Sequence, residues 1–366
     1  MTSTADPRRG TGLVGRAAGL LVLWLLAACA PTTQPMGPPV AAPTLAGDSY
    51  RAPDGQSLPL RAWLPEGGTP PRAVILALHG FNDYSNAFDA PGRFWASQGV
   101  ATYAYDQRGF GQAGQRGIWP GPETLQADLL AAAAAVRARH PGVPLYLLGE
   151  SMGAAVVLTT LADRGGADHG GADHGETDGT LPDGVRGAVL AAPAVWARWT
   201  MPFYQRWALG IATWTVPWYH LTPPRGLKIR PSDNIEMLRA LGRDPLVIKS
   251  TRVDAVYGLT NLMDRALTDT ARVGTRMPVL ALYGENEQLI PPEPVSVALA
   301  NLAGRGARIG VYPKGWHMLL RDLQAEVVWR DVLAWIDDPA APLPSGADRH
   351  AQVEAARTVP VQAAAR

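Results

Sequence analysis

Ser151 stands in a sequence setting that can make a serine hydroxyl a nucleophile. It lies at the centre of residues 149–153, which read Gly-Glu-Ser-Met-Gly. An apolar run at 144–148 precedes this segment and an apolar, small-residue run at 152–163 follows it, as expected of a buried strand and a helix. The two glycines are needed because strand and helix backbones nearly touch at such a turn, which projects the hydroxyl above the sheet. The pattern predicts that Ser151 forms a covalent intermediate with its substrate.

A serine hydroxyl reacts only when a base takes its proton, and His317 is the candidate base. It lies in the segment Lys-Gly-Trp-His-Met at 314–318, directly after the last predicted strand. Other histidines fit less well, because His140 ends a predicted helix, His220 lies in an aromatic-rich segment and His350 lies near the C-terminus.

An acid must hold the histidine in place, and after a serine turn of this kind it comes between the serine and the histidine along the chain. Residues 284–287, Gly-Glu-Asn-Glu, follow the strand predicted at 278–283. They supply two glutamates, Glu285 and Glu287, and the segment alone leaves both open.

Backbone N–H groups are needed to stabilise the negatively charged oxygen of a tetrahedral intermediate. Residues 79–82, His-Gly-Phe-Asn, follow the first long apolar run. That position supplies the Phe81 N–H as one donor, and the Met152 N–H supplies the other. We interpret His79 as structural, because its place on the strand orders the loop. Residues 106–111, Asp-Gln-Arg-Gly-Phe-Gly, are interpreted as a tight structural loop near the site.

Apolar runs alternate with helical stretches along the body of the chain. Residues 48–64 add two short extended pieces around a Pro-Asp-Gly turn. Continuous apolar runs suit strands buried on both faces of a parallel sheet, so the alternation predicts an α/β fold with a mostly parallel central sheet flanked by helices. The runs lie at 72–79, 100–105, 144–148, 185–192, 278–283 and 307–312, and the helical stretches at 124–139, 152–163, 294–302 and 319–336.

Two segments interrupt the alternation. Residues 164–184 carry His169 and His174 in a glycine-rich stretch, which we interpret as a solvated insertion rather than a metal site. Residues 196–275 begin with a dense aromatic stretch, which predicts the core of a helical subdomain, a lid over an apolar pocket, or both, and we favour the lid. The tryptophans of this stretch are Trp196, Trp199, Trp207, Trp214 and Trp218.

Taken together, these motifs resemble those of the α/β-hydrolase superfamily, and within it the monoacylglycerol lipase and lysophospholipase-like serine hydrolases. The resemblance covers residues 48–338. The chain departs from the family pattern at Glu287, where aspartate is usual, and at Phe81, where a small residue is common. The motifs that carry it are His79-Gly80, Asp106-x-Arg108-Gly109-x-Gly111, Gly149-x-Ser151-Met152-Gly153, Gly284-x-x-Glu287 and His317-Met318, followed by Leu-Leu-Arg-Asp at 319–322.

The resemblance implies a triad of Ser151, His317 and Glu287, because Glu287 occupies the position where the family carries its acid. The implied reaction is hydrolysis of a carboxylic ester of the monoacylglycerol or lysophospholipid type, through an acyl-enzyme and without a metal or organic cofactor. Two alternatives stay open. One is an esterase or acyltransferase acting on non-lipid esters. The other is a catalytically silent protein that binds a partner, against which the intact order of serine, acid and histidine argues.

Composition excludes several other classes of protein. The chain has 366 residues, of which 47% are hydrophobic, so one domain with a sizeable core is expected. With 33 basic and 32 acidic side chains the formal charge is +1, which gives no electrostatic footprint for nucleic acid. The one cysteine, Cys29, excludes an intramolecular disulfide and a cysteine metal cluster.

The N-terminus has the pattern of an export signal. Arginines precede an apolar run at 17–28, and these 12 residues would reach only about 18 Å as a helix, less than the roughly 30 Å of a bilayer core. The segment Leu-Ala-Ala-Cys at 26–29 resembles a bacterial lipobox, which implies cleavage before Cys29 and a lipid on its thiol. An ordinary secretory signal with an incidental cysteine is the alternative. We predict an exported, membrane-anchored lipoprotein, and Ala30 favours the outer membrane because aspartate there would often signal inner-membrane retention.

The expected organisation of the chain follows from these segments. The stretch after the signal is rich in Pro, Ala and Thr and the C-terminal stretch in Ala, Pro and Arg, so both are expected to be disordered. The parts are a signal peptide at 1–28, a tether at 29–47, the first part of the hydrolase core at 48–195, a lid or cap at 196–275, the second part of the core at 276–338 and a tail at 339–366.

Overall fold

The apolar runs of the sequence form the centre of one sheet in the computed structural model. The structure describes residues 30–164, 181–222, 226, 228–274 and 277–358. The predicted signal peptide, Cys29 and the stretch with His169 and His174 lie outside the described residues. Within the described ranges, no helix is long and apolar enough to cross a membrane.

The central sheet has nine strands and is mostly parallel, as the sequence predicts. The strands of the chain are β1 (Thr44–Ala46), β2 (Ser49–Arg51), β3 (Ser57–Trp63), β4 (Ala73–Leu78), β5 (Val100–Tyr105), β6 (Leu145–Glu150), β7 (Val185–Ala191), β8 (His220–Leu221), β9 (Thr251–Arg252), β10 (Val279–Gly284) and β11 (Arg308–Tyr312). Their order in the sheet is β1-β2-β3-β5-β4-β6-β7-β10-β11, and β8 pairs with β9 separately. Strands β1, β2 and β3 pair antiparallel at one edge, and β3 pairs antiparallel with β5. From β5 to β11, neighbouring strands of this sheet run parallel. Every residue of β4, β5, β6 and β10 is buried, because helices cover both faces.

Helices form a layer on each side of this sheet. They are α1 (Asp89–Ser97), α2 (Pro122–Arg139), α3 (Met152–Arg164), α4 (Phe203–Thr215), α5 (Ile235–Arg243), α6 (Val253–Asp269), α7 (Pro292–Gly304), α8 (Ala325–Asp337) and α9 (Ala347–Thr358). Buried side chains of α2, α3, α6 and α7 pack on one face of the sheet, and those of α1, α8 and α9 pack on the other. Helix α1 was not predicted, because its proline and glycine disfavour a helix.

The predicted cap, residues 196–275, lies along the chain between β7 and β10. It contributes α4, α5 and α6 together with the β8–β9 pair. Helix α6 packs against α3, and α4 packs against α6. The cap therefore packs against α3, the helix that begins directly after the candidate nucleophile Ser151.

The predicted disordered tether is wrong for residues 30–47, which run along the domain. Gln34 is buried, its side-chain amide donates to the Ile118 carbonyl at 2.7 Å, and its backbone N–H donates to the Trp119 carbonyl at 3.1 Å. Further along, β1 pairs with β2 at the edge of the sheet. The Pro-rich composition hides this docking because it rests on one side chain and on backbone hydrogen bonds.

The predicted disordered tail is also wrong over residues 347–358, which form α9; residues 359–366 lie outside the described part of the chain. The start of α9 is fixed to the sheet edge by an ion pair between Arg308 and Asp348 at 2.7 Å. Leu343 and Ala347 are buried against the same side of the sheet. Two small apolar contacts and one ion pair are too sparse a pattern to be recognised in an Ala- and Arg-rich sequence.

Glycine allows α3 to begin directly at the end of β6. A Cβ on Gly153 would lie 2.1 Å from the Leu78 carbonyl oxygen of β4, and a Cβ on Gly149 would lie 2.3 Å from the Ala154 backbone nitrogen. Both distances are far below van der Waals contact, so these two positions accept no side chain. Close contact of the strand and helix backbones, expected from the sequence, therefore requires both glycines.

We predict that Gly153→Ala lowers the free energy of unfolding by about 1–3 kcal/mol, because backbone must shift to admit the methyl group. The matched control is Gly210→Ala, within α4, where an added Cβ meets no described atom within 4 Å. That change should raise the free energy of unfolding by about 0.4–1 kcal/mol by restricting the unfolded chain. Urea denaturation of the two variants checks the prediction, and equal effects would contradict it.

Candidate active site

Ser151 occupies a strained backbone position between β6 and α3. Its φ angle is 54°, in the left-handed region that residues other than glycine rarely adopt. Its N–H donates to the Ala191 carbonyl at 2.9 Å, and its own carbonyl accepts from the N–H groups of Ala155 at 3.0 Å and Ala194 at 3.1 Å. These three hydrogen bonds hold the turn in place and present the side chain at the carboxyl end of the sheet.

The structure brings Ser151, His317 and Glu287 into one chain of hydrogen bonds. His317 Nε2 lies 2.9 Å from Ser151 Oγ, and His317 Nδ1 lies 2.6 Å from Glu287 Oε2. His317 and Glu287 are almost fully buried. With Nδ1 donating to the carboxylate, Nε2 is left as the acceptor for the serine proton, which is the arrangement that general-base catalysis requires.

The two glutamates that the sequence left open point to different partners. Glu287 Oε1 accepts from the N–H groups of Leu289 at 2.6 Å and Ile290 at 3.1 Å, which leaves Oε2 for His317. Glu285 instead pairs with His350 of α9 in a solvent-accessible contact. The geometry thus places Glu287, and not Glu285, against the histidine.

Electrostatics at this site favour a charged Glu287 beside a basic His317. Burial works to raise the pKa of Glu287, but the His317 ring and the two backbone N–H groups together bring that pKa below its usual value. Burial works to lower the pKa of His317, but Glu287, and to a smaller extent Glu150, bring that pKa above its usual value. The pair is therefore suited to stabilising an imidazolium once the proton has been transferred.

The loop after β4 passes directly over the serine. A Cβ on Gly80 would lie 3.4 Å from Ser151 Cβ, so the backbone of this loop is in contact distance of the turn. Neither the Phe81 N–H nor the Met152 N–H donates a hydrogen bond to another group among the residues that the structure describes. Both predicted donors are thus available for an oxygen atom of a substrate.

The Phe81 ring packs into a small apolar cavity beside this loop. Its centroid lies 5.5 Å from that of Phe110 and 6.2 Å from that of Trp119. The cavity measures about 10 Å³ and is also lined by Ile248 and Thr251. In this arrangement the cavity has room for one water molecule at most.

His79 and the 106–111 loop have the structural roles interpreted from the sequence. His79 is buried, its Nε2 accepts from the Gln107 N–H at 3.0 Å, and its Nδ1–H donates to the Gly80 carbonyl at 2.8 Å. Burial lowers its pKa, so it is neutral and cannot serve as a cation. Arg108 of the loop is buried between the carboxylates of Asp54 and Asp128.

A buried cluster of charges beside the site was missed by the sequence reasoning. Arg321 Nη1 lies 2.7 Å from Asp83 Oδ2, and Arg321 Nη2 lies 2.9 Å from Glu150 Oε2. Asp83 belongs to the loop after β4, Glu150 precedes the serine, and Arg321 follows the histidine. The cluster therefore joins the three segments that carry the candidate machinery. Its members are isolated charges in three distant motifs, so no spacing rule links them in the sequence.

A second buried carboxylate fixes the histidine loop to the cap. Asp322 accepts from the Ser232 hydroxyl at 2.6 Å and from the Trp316 N–H at 2.7 Å. Burial raises its pKa to about 6 despite these two donors. Because this carboxylate holds residues 316–322 in turns, the helix predicted at 319–336 begins only at Ala325.

The structure does not gather the cap tryptophans around the triad. Trp196 packs against the core, whereas Trp199, Trp207, Trp214 and Trp218 are 48–69% exposed. The depression beside Trp207 and Trp214 is lined by residues of α4 alone. These four residues therefore form neither the expected lining of a pocket nor the packed core of a subdomain. Within the described ranges, no group of three or more His, Cys, Asp or Glu side chains could hold a metal ion.

Comparison with known proteins gives a consistent picture. A family model described as serine aminopeptidase, S33, matches residues 69–324. Human monoglyceride lipase is 23% identical over 292 residues, which cover 79% of this chain and 89% of that protein. A monoacylglycerol lipase from Mycolicibacterium smegmatis is 24% identical over 306 residues, covering 79% of this chain and 95% of that protein. The crystal structure of Paleococcus ferrophilus monoacylglycerol lipase superimposes with a TM-score of 0.60 at 20% identity, covering 76% of this chain and 98% of that one.

The first prediction for this site concerns the two glutamates. Glu287→Gln keeps the shape of the side chain but removes the charge, so kcat should fall by about 10³–10⁴-fold, while Glu285→Gln should leave kcat near the wild-type value. Only neutral His317 can take a proton, so wild-type kcat/KM should rise with pH through a pKa above the ordinary histidine value. Without the Glu287 charge that pKa falls, and the acid limb should move to lower pH. A large loss in Glu285→Gln with a small loss in Glu287→Gln would contradict the assignment.

The second prediction concerns the buried cluster. Arg321→Met leaves the Asp83 and Glu150 carboxylates buried without the cation that pairs with both, so the free energy of unfolding should fall by about 3–5 kcal/mol. Arg330→Met is the control, because Arg330 makes an exposed ion pair with Glu326 on α8 and its loss should cost less than about 1 kcal/mol. Denaturation curves that coincide for the two variants would show that the cluster does not hold the three segments together.

Proposed function

The chain belongs to the serine aminopeptidase S33 family of α/β hydrolases, with monoacylglycerol lipase-like members, and from this premise we propose that it hydrolyses monoacylglycerol-type esters with a Ser151–His317–Glu287 triad. The α/β-hydrolase fold and the carboxylic ester hydrolase class expected from the sequence are confirmed. The observation that carries the proposal is the continuous hydrogen-bond chain from Glu287 through His317 to the hydroxyl of a strained serine.

In the proposed mechanism, His317 removes the hydroxyl proton as Ser151 attacks the ester carbonyl carbon. The carbonyl oxygen becomes an oxyanion, which the Phe81 and Met152 N–H groups stabilise. His317 then donates its proton to the leaving alcohol, and the acyl group stays on the serine. A water molecule deprotonated by His317 attacks the acyl-enzyme, the bond between Ser151 Oγ and the acyl carbon breaks, and His317 returns the proton to Oγ as the acid leaves. Glu287 stabilises the imidazolium in both halves of the cycle.

The chemistry near the oxyanion loop supports a neutral, apolar substrate. The side chains around the cavity beside Phe81 carry no charge, and most are aromatic or aliphatic. Monoacylglycerol combines an uncharged head group with an apolar acyl chain, and the relatives named above are lipases for this class of ester. The same cavity, about 10 Å³, has no room for an acyl chain, so an esterase for short-chain, non-lipid esters is kept as the second candidate.

We also propose that the protein is an exported lipoprotein, anchored to a membrane, with the outer membrane as the favoured location. The support for this is the lipobox-like segment at 26–29, in which the one cysteine of the chain occupies the position that acylation requires. Lipid attached at Cys29 would bring the enzyme to the phase in which monoacylglycerols dissolve.

We predict that Ser151→Ala abolishes labelling by a fluorophosphonate and lowers kcat by about 10⁵–10⁶-fold with the fold intact. A panel of monoacylglycerols and p-nitrophenyl esters from acetyl to palmitoyl distinguishes the candidates. Preference for monoacylglycerols with long chains supports the lipase, and activity confined to short esters supports the alternative. Labelling that survives in Ser151→Ala would show that a different serine reacts.

A further inference from the structure

The cap binds the loop that carries one of the two candidate oxyanion donors. Asn82 directly follows Phe81, and its side-chain amide Nδ2–H donates to Thr251 Oγ1 of β9 at 2.7 Å. The Ile248 N–H donates to the Asn82 carbonyl at 2.9 Å. Both partners belong to the cap, which lies outside the segments that carry the triad. The loop is therefore held by a part of the chain to which no role in the reaction has yet been given.

Asn82 also determines the shape of the turn that contains Phe81. The Asp83 N–H donates to the Gly80 carbonyl at 3.3 Å and closes this turn. At the third position of the turn, Asn82 has a φ of 64°, in the left-handed region that asparagine and glycine adopt most readily. Because residue 82 sets the path of the turn, a shift of Asn82 also moves the peptide between Gly80 and Phe81, whose N–H is the donor.

A third hydrogen bond joins the same loop to the cap. The buried Tyr84 donates its hydroxyl to Asp244 Oδ2 at 2.7 Å. Residues 244–251, which we call the cap segment, thus contact the loop on both sides of Asp83. Asp83 itself pairs with Arg321. The loop is therefore held from the cap at residues 82 and 84 and from the histidine segment at residue 83.

The cap segment is in turn fixed to the helix that begins beside the nucleophile. Thr251 pairs with Leu221 in the β8–β9 ladder, and α6 begins two residues after Thr251. Helix α6 packs against α3, whose first residue is Met152. Since the Met152 N–H is the other candidate donor, the cap connects the element that carries one oxyanion donor with the loop that carries the other.

We propose that Asn82 and Thr251 are positioning residues that place the Phe81 N–H against the same oxyanion as the Met152 N–H. An oxyanion donor is effective only at about 2.7–3.1 Å from the place where the charged oxygen forms, so a loop that shifts loses much of its effect. Asn82 and Thr251 act through the Phe81 backbone, by restricting the loop before the substrate binds. The inference rests on the function proposed above, and it holds equally for a lipase and for a short-chain esterase.

Thr251 allows the hydroxyl to be removed with little change of shape. Thr251→Val replaces the hydroxyl by a methyl group, whereas Thr251→Ser keeps it. With p-nitrophenyl butyrate, kcat of Thr251→Val should fall by about 10–100-fold, because loss of a whole donor costs about 10²–10³-fold, and KM should stay within about twofold. Thr251→Ser should keep most of the wild-type kcat. The control is Thr222→Val, which removes a cap hydroxyl that contacts Ser250 and not the loop, and its kcat should equal that of the wild type.

A trifluoromethyl ketone inhibitor distinguishes a displaced oxyanion donor from a general loosening of the fold. Ser151 Oγ adds to its carbonyl carbon, the hydroxyl proton passes to His317, and the carbonyl oxygen becomes an oxyanion between the two N–H groups. In Thr251→Val, the Ki of this inhibitor should rise by the factor by which kcat/KM falls. The acid limb of kcat/KM against pH should stay at its wild-type position, because His317 keeps its contact with Glu287.

Asn82→Gly tests the same hydrogen bond from its other end. Glycine accepts the left-handed φ but has no side-chain amide, so this variant should show the same loss of kcat as Thr251→Val. The double variant should lose no more than either single variant, because both changes remove one interaction. Losses that multiply in the double variant would show that the two side chains act independently and would overturn the proposal.

Three further results would contradict it. They are a wild-type kcat in Thr251→Val, equal losses in Thr251→Val and Thr251→Ser, and a loss of kcat without a change in Ki. If circular dichroism shows that Thr251→Val does not fold, Asn82→Gly decides, and a wild-type kcat and Ki in that variant overturn the proposal. An inactive Ser151→Ala beside a fully active Thr251→Val contradicts this inference alone, whereas hydrolysis that survives in Ser151→Ala contradicts the proposed function.

Discussion

The close contact between α3 and β4 is the constraint on which the rest of the site depends. Because Gly153 meets the Leu78 carbonyl without an intervening side chain, α3 begins at once after β6, and Ser151 is forced into a left-handed conformation. Such a conformation costs on the order of 1–3 kcal/mol, which the hydrogen bonds of the turn and the packing of α3 offset. The strain fixes the direction of the hydroxyl, so the base and the acid have one defined target.

Two sets of polar contacts then position separate loops around the Ser151 hydroxyl. Glutamate has one methylene more than aspartate and more rotamers to lose, and the two backbone N–H groups that bind Glu287 Oε1 remove this freedom, leaving Oε2 directed at His317. Arg321 joins the segments of Asp83 and Glu150 in a region that is mostly buried. A buried ion cluster adds little net stability because desolvation offsets the attraction, so its main consequence is the relative position of the loops it connects.

The sequence predicts the fold and the site best where a residue pattern is compatible with only one local structure. Buried parallel strands must be apolar throughout, so the six runs mark them to within two residues, and the glycines beside Ser151 mark a turn that admits nothing else. Gln34 and Arg321 escape prediction because their partners are backbone carbonyls and carboxylates far along the chain, which leave no local pattern. The segment 284–287 alone leaves Glu285 and Glu287 open, and the structure separates them because Glu287 contacts His317 while Glu285 pairs with His350 of α9.

The aromatic stretch was also not predicted correctly, because the number of tryptophans in a segment does not show which way their side chains point. The same residues would pack against α6 if α4 were rotated by half a turn about its axis. Their outward position follows from Thr213 and the packing of α4 on α6, which are properties of the assembled cap.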